Sequence, residues 1–152
     1  MTNILFLCHG NICRSPMAEF IMKALVREAG AAARLRIDSA AVSREELGNP
    51  IYPPAQRQLR AHAVPFDDHR ARQMTRADYD AYDLLVGMDA SNLAGMRRIC
   101  GGDPDGKLRL LMEYTGAARD VADPWYTGDF DAAWRDIESG CRALLDALMP
   151  SL

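Results

Sequence analysis

The chain has 152 residues, 49% apolar and 26% charged, which suits one globular domain and excludes a disordered, collagenous or disulfide-stapled mini-protein chain. Its 18 basic and 21 acidic residues leave a net charge of −3, so no global field favours nucleic acid. No apolar run approaches the roughly 18 residues of a membrane span, and Met1-Thr2-Asn3 lacks the basic start of a secretion signal. A cytoplasmic protein is expected, with neither nucleic acid nor membrane as partner.

Ile4-Leu5-Phe6-Leu7-Cys8 is a continuous apolar run ended by a turn, the pattern of a strand buried on both faces. Met17, Phe20, Ile21, Ala24 and Leu25 then form a helical stripe, which predicts a helix over Pro16–Ala29 with Gly30 as its stop. Leu35-Arg36-Ile37 reads as a short second strand. A loop rich in turn residues follows (Gly48, Asn49, Pro50, Pro53, Pro54), with a helix predicted from Pro54 to His62. Thr75 marks the N-cap of another helix, with Asp78 in its first turn. Leu84-Leu85-Val86 is the third strand, Ser91–Ile99 a helix, residues 101–106 a loop and Leu108–Leu111 the fourth strand. Finally Phe130, Trp134, Ile137, Cys141, Leu144 and Leu148 step by four, three, four, three and four, as on an amphipathic helix. Strands alternating with helices imply a parallel sheet joined by right-handed crossovers. The expected architecture is a single α/β domain over residues 1–152, three layers deep, with a four-stranded parallel sheet and helices on both faces.

Ligands of such sheets bind beyond the carboxyl ends of the strands, often at the start of the next helix. There the chain reads Cys8-His9-Gly10-Asn11-Ile12-Cys13-Arg14-Ser15-Pro16. Successive N–H groups in so tight a loop can form a cradle for a tetrahedral anion. Gly10 and Asn11 are residue types that tolerate the left-handed backbone this curl requires. Arg14 can clamp two anion oxygens with a charge it cannot lose. The same positive surroundings are expected to lower the pKa of Cys8 and supply a thiolate. A bare Cys and Arg six apart is also what a buried strand-end cysteine beside a surface arginine would give; the strand-to-helix junction, the Gly-Asn pair and the following Ser-Pro favour the anion site. The four cysteines (Cys8, Cys13, Cys100, Cys141) are expected as free thiols in a cytosolic chain. No metal site is expected, because Cys8 and Cys13 lack a second pair and the three histidines are scattered.

These residues carry a resemblance. Cys8-x-Gly10-Asn11-Ile12-Cys13-Arg14-Ser15-Pro16-x-Ala18-Glu19 resembles the signature of the low-molecular-weight protein tyrosine phosphatases. The likeness continues through Asp38-Ser39-Ala40, His69-Arg70-Ala71-Arg72-Gln73, Met88-Asp89-x-Ser91-Asn92-Leu93 and Asp123-Pro124-Trp125-Tyr126, over nearly the whole chain. It implies hydrolysis of phosphotyrosine on a protein substrate, with inorganic phosphate as product and no cofactor or metal. Cys8 would be the nucleophile, Arg14 the phosphate clamp and Asp123 the general acid and then base. His9, Gly10, Asn11, Ile12, Cys13 and Ser15 would line the phosphate, with Ser15 donating to the thiolate and Asn11 holding strained backbone. His69 would support the loop, unless it is an ordinary packing histidine.

Asp123 has a physical rationale as well. A departing phenolate is the base of an acid with a pKa of about 10, and an acid in line with the leaving oxygen removes that cost. Pro124 stiffens the segment, and Trp125 and Tyr126 offer aromatic surface to a substrate ring. An Asp before a Pro is otherwise a cap or turn residue.

Three departures from the family stand out. Ala41 and Ala63 occupy places where glycine is usual. Arg44-Glu45-Glu46-Leu47 is acidic where many animal members carry an aromatic wall, for which Tyr52 is a candidate. The alternatives are a protein arginine phosphatase, which goes with Thr at the position of Ile12, an arsenate reductase, and a phosphoprotein-binding module lacking nucleophile or acid. An arsenate reductase needs extra cysteines on a mobile segment, whereas Cys141 lies on an apolar stripe. Cys13 is either a partner that traps oxidised Cys8 as a disulfide or a packing residue. Nothing in the pattern specifies an oligomeric state.

Overall fold

In the computed structural model, which describes residues 1–152, the N-terminal apolar run becomes β1 (Thr2–Cys8). Its continuous apolarity hides a period of two. Ile4, Phe6 and Cys8 enter one core, while Leu5 and Leu7 enter a second core on the opposite face. The remaining elements follow as α1 (Arg14–Glu28), β2 (Leu35–Ala41), α2 (Pro53–Ala61), α3 (Arg76–Ala81), β3 (Leu84–Gly87), α4 (Ala90–Cys100), β4 (Leu108–Leu110), α5 (Pro124–Thr127) and α6 (Phe130–Leu148).

The sheet order is β2-β1-β3-β4 with every pairing parallel, so β1 is central and the chain winds away from it in both directions. Residues of α1, α2 and α6 fill the core with Ile4 and Phe6, and residues of α3 and α4 fill the other. The four-stranded parallel sheet with helices on both faces is therefore as expected. The reversal of order at β1 opens a crevice beyond Cys8.

Several boundaries differ from the sequence reading, for local reasons. Strand β2 runs on to Ala41 although Asp38-Ser39-Ala40-Ala41 has no strand character, because β1 offers a partner to each residue from Leu5↔Asp38 to Cys8↔Ala41. Helix α1 begins at Arg14, two residues before the predicted Pro16, and α2 occupies Pro53–Ala61 with proline at its start. Strand β4 stops at Leu110, where Leu111–Thr115 turns into a 3-10 helix. Helix α6 crosses that turn closely: a Cβ at Gly140 would lie 2.5 Å from Leu111 Cγ, so only glycine permits the approach. The end of α2 is closed by Val64 N–H on Leu59 O (2.9 Å) and Ala63 N–H on Arg60 O (3.1 Å), which puts Ala63 at φ 55 in the region glycine prefers. No helix is long and apolar enough to cross a membrane.

Candidate active site

The segment from Cys8 to Ser15 leaves β1, curls, and enters α1. Its carbonyls are taken by the scaffold around it. Cys8 O accepts from Val42 N–H (2.9 Å), His9 O from Ser43 N–H (3.0 Å), Ile12 O from Tyr52 N–H (2.9 Å) and Cys13 O from Met17 N–H (3.2 Å). By contrast the N–H groups of His9, Gly10, Ile12, Cys13 and Arg14 have no acceptor within the protein. Donors left over at the start of a 15-residue helix, on a curled loop, make an anion cradle.

Asn11 fixes the curl. It is fully buried at φ 59. Its Oδ1 accepts from Arg72 N–H (3.3 Å), which orients the amide. The Nδ2 then donates to Ser15 Oγ (2.8 Å) and Ser39 Oγ (3.0 Å). Ser39 in turn donates to Glu19 Oε1 at 2.6 Å. Because Ser15 Oγ accepts from Asn11, its own proton is free for Cys8 Sγ, 3.0 Å away. The Asn11 N–H donates to the same sulfur at 3.3 Å. Two donors thus face Cys8 Sγ. Gly10 departs from the expectation: it does not enter the left-handed region, and its smallness is used in close approach, since a Cβ there would sit 3.1 Å from Glu46 Cγ.

His69 lies against the loop as its support. Its Nε2–H reaches Asn11 O (3.3 Å) and Oδ1 (3.1 Å); both partners are acceptors, so this nitrogen carries the proton. Its Nδ1 is 3.7 Å from Glu19 Oε1.

Arg14 is 2% exposed. Its Nη1 donates to Asp89 Oδ2 and to Val121 O, each at 2.8 Å, and its Nη2 reaches Asp123 Oδ2 at 3.3 Å. Burial opposes its charge, but Cys8, Asp89 and Asp123 outweigh that and hold the guanidinium above its ordinary range. Both carboxylates that touch Arg14 are also helix caps. Asp89 Oδ1 accepts from Asn92 N–H at the start of α4 (2.7 Å), and Asp123 Oδ1 from Trp125 N–H at the start of α5 (3.0 Å). The capping alternative for Asp123 and its place at the cleft are therefore both realised.

The cleft is lined by Cys8, Ile12 and Arg14 of the loop, by Glu45 and Glu46, and by Asp123, Trp125 and Tyr126. Both aromatic rings are exposed, Trp125 to 51% and Tyr126 to 81%. His9 sits at the rim with Nε2 2.8 Å from Glu45 Oε2. Tyr52 does not line the cleft; its ring packs behind Trp125, with centroids 4.8 Å apart.

Cys13 is buried against Ile12 and Ala71, and burial, followed by the charges of Cys8 and Asp123, pushes its thiol well up. It lines the same cleft as Cys8. Cys100 and Cys141 are buried on opposite faces of the sheet, both thiols raised by burial, so they form no relay outward from Cys8. No three His, Cys, Asp or Glu side chains are grouped as a metal would need. Sequence reasoning gave no roles to Glu19, Ser39, Asp89 and Val121. The Asp38-Ser39-Ala40 and Met88-Asp89 blocks pointed to two of them, whereas Val121 acts through a carbonyl, which no side-chain signal reveals.

Comparison with known proteins supports one family. The profile described as low molecular weight phosphotyrosine protein phosphatase matches residues 3–151. The low molecular weight protein-tyrosine-phosphatase YfkJ of Bacillus subtilis is 37% identical over 150 residues, covering 97% of this chain and 96% of the relative. Its crystal structure superposes with a TM-score of 0.96 at 36% identity, over 99% and 96% of the two chains. The human low molecular weight phosphotyrosine protein phosphatase is 36% identical over 149 residues, 95% of this chain and 94% of the relative. A structure described as drosophila arginine phosphatase is also similar, with a TM-score of 0.87 at 30% identity and 97% of each chain covered.

Proposed function

The chain belongs to the low molecular weight phosphotyrosine protein phosphatases and is a hydrolase of phosphotyrosine; from that premise we propose how its residues divide the reaction. The observation that carries the assignment is Cys8 Sγ held by two donors, Ser15 Oγ at 3.0 Å and Asn11 N–H at 3.3 Å, in the cleft that Arg14 also lines. The thiolate attacks phosphorus in line, the S–P bond forming as the P–O bond to the phenol breaks. Asp123 gives its proton to the departing oxygen. In the second step a water oxygen bonds to phosphorus, the S–P bond breaks, Asp123 takes the water's proton, and inorganic phosphate leaves with Cys8 a thiolate again.

The Arg14 guanidinium and the N–H groups of His9, Gly10, Ile12, Cys13 and Arg14 meet the charge on the equatorial oxygens, where a single well-aimed donor is worth roughly 10²–10³ in rate. A phosphate dianion entering the cradle competes with Asp123 for Arg14 Nη2, which frees Asp123 to face the leaving oxygen. Trp125 and Tyr126 hold the phenyl ring. Four buried free thiols support a reducing, cytoplasmic location, and the net charge of −3 supports substrates other than nucleic acid. Residues 1–152 are read as one phosphatase domain, supported by a family match from 3 to 151.

The likeness to an arginine phosphatase gives the second reading its one support. Ile12, apolar and β-branched at the cleft, offers nothing to a guanidinium group and favours the phenyl ring. Phosphotyrosyl, phosphoseryl and phosphoarginyl peptides assayed side by side test this. Phosphotyrosine should be cleaved fastest, and Ile12→Thr should raise the phosphoarginine-to-phosphotyrosine ratio on the order of 10-fold, the worth of one pocket contact. A wild-type preference for phosphoarginine would reverse the substrate assignment.

A further inference from the structure

Tyr52 occupies the N-cap of α2, where a short polar side chain normally satisfies the first helical N–H groups, yet its side chain caps nothing. Its ring instead lies 4.8 Å from that of Trp125 and 6.1 Å from that of Phe130. Its backbone N–H donates to Ile12 O at 2.9 Å, and its side chain packs on the Ile12, Cys13 and Ala71 cluster together with Phe130. One residue therefore touches the phosphate loop with its backbone and the acid-bearing segment with its ring.

On the near side of Asp123 that segment is anchored by Val121, fully buried with its N–H on Met88 O at 2.8 Å and its carbonyl on Arg14, and by the buried Pro124; beyond Pro124 little holds it. Helix α5 is four residues long, too short to persist on its own hydrogen bonds. Trp125 is half exposed, but its N–H holds Asp123 Oδ1 at 3.0 Å, so whatever fixes the indole fixes the carboxyl group. The contact of Asp123 Oδ2 with Arg14, at 3.3 Å, is the one a bound phosphate competes for. With the backbone anchored at Val121 and Pro124, the orientation of the Asp123 carboxyl group depends on the aromatic packing of Trp125.

We propose that Tyr52 is a positioning residue for the proton-transfer steps: its ring seats Trp125, and through the Trp125 backbone it sets Asp123 at a fixed height above the phosphate loop. This rests on the reading of Asp123 as the general acid. A misplacement of an ångström far from the bond being broken can cost up to about 10²-fold, and the loss should appear only where the leaving oxygen needs its proton.

The test is kcat/KM, which reports the step up to phenol release, for phenyl phosphate and for p-nitrophenyl phosphate, whose more acidic phenol leaves without help. Tyr52→Ala should lose roughly 10-fold more on phenyl phosphate than on p-nitrophenyl phosphate. Tyr52→Phe should keep the wild-type profile, because the packing is made by the ring. In an Asp123→Asn background Tyr52→Ala should cost nothing further on phenyl phosphate, and competitive inhibition by inorganic phosphate should be unchanged by Tyr52→Ala. Equal losses on the two esters, additive losses in the Asp123→Asn background, or weakened phosphate inhibition would overturn the proposal alone. A flat response of Asp123→Asn to the leaving group overturns the acid assignment, and the proposal with it.

Discussion

The two sides of the cleft are built on opposite plans. The phosphate loop is buried apart from His9 and Gly10, and its carbonyls are pinned by Val42, Ser43, Tyr52 and Met17, with His69 on Asn11 O. The acid segment is a four-residue helix with Trp125 and Tyr126 facing solvent, and its carboxylate meets Arg14 only through Nη2 at 3.3 Å, while Nη1 of that arginine is held by Asp89 and Val121 O. The chemistry explains the contrast. Charge developing on phosphorus must meet dipoles that are already aimed, because reorienting them during the reaction would raise the barrier. Asp123, as the proposed acid, would instead have to exchange Arg14 for a leaving oxygen and later for water, which a fully pinned side chain could not do.

The sharpest way to break this contrast is to remove the nucleophile. Cys8→Ser should hydrolyse p-nitrophenyl phosphate at background level yet still bind phosphate by calorimetry, because the cradle is held from outside. Loss of binding together with turnover would mean that the sulfur itself organises the loop. Next in size is Asp123→Ala, expected to lose about 10²–10⁴ in turnover on phenyl phosphate and much less on esters of acidic phenols. Phosphate should bind it at least as well as wild type, since Arg14 loses a competing carboxylate. A uniform loss across leaving groups would give Asp123 some other task.

The smallest effect separates two residues of nearly the same backbone, Asn11 at φ 59 and Ala63 at φ 55. Glycine suits both torsions. Ala63→Gly should therefore stabilise the chain by about 1 kcal/mol, by relieving a left-handed residue that bears a Cβ. Asn11→Gly should destabilise it by roughly 1–3 kcal/mol and slow turnover, because Ser15 and Ser39 lose their buried donor. Urea denaturation of the two variants gives both signs directly.

Much of this was legible from the sequence, and the parts that were not share a cause. The strand at Ile4–Cys8, the stripe from Phe130 to Leu148 and the Cys8–Arg14 loop are contiguous patterns, each with a period or spacing of its own. Strand β2 beyond Ile37 was not readable, since Asp38-Ser39-Ala40-Ala41 becomes strand only through its pairing with β1. The fixation of Ser15 as a donor depends on Asn11, Ser39 and Glu19, residues brought together by the fold rather than by spacing. Gly10 had a visible reason to be glycine, but the operative one, contact with Glu46, needs the loop after β2 in place. Tyr52 was noticed as an aromatic without a location, and only the packing of α2 against the acid segment supplies one.

The way the phosphate loop is pinned also bears on how the molecule opens. The donors to Cys8, His9, Ile12 and Asn11 come from the strand end at Val42 and Ser43, the start of α2 and the His69 segment, which are far apart in the chain. Releasing the loop means undoing all of them, so the amides of Val42, Ser43 and Tyr52 are expected in the slowest class of hydrogen exchange, that of global unfolding. Helix α5, with one turn of backbone bonds, is expected to exchange its amides through smaller, local openings. The anion cradle consequently exists only in the complete fold. A partly unfolded form that loses only the acid segment is therefore expected to keep the cradle, and one that loses the β1–β2 ladder to lose it.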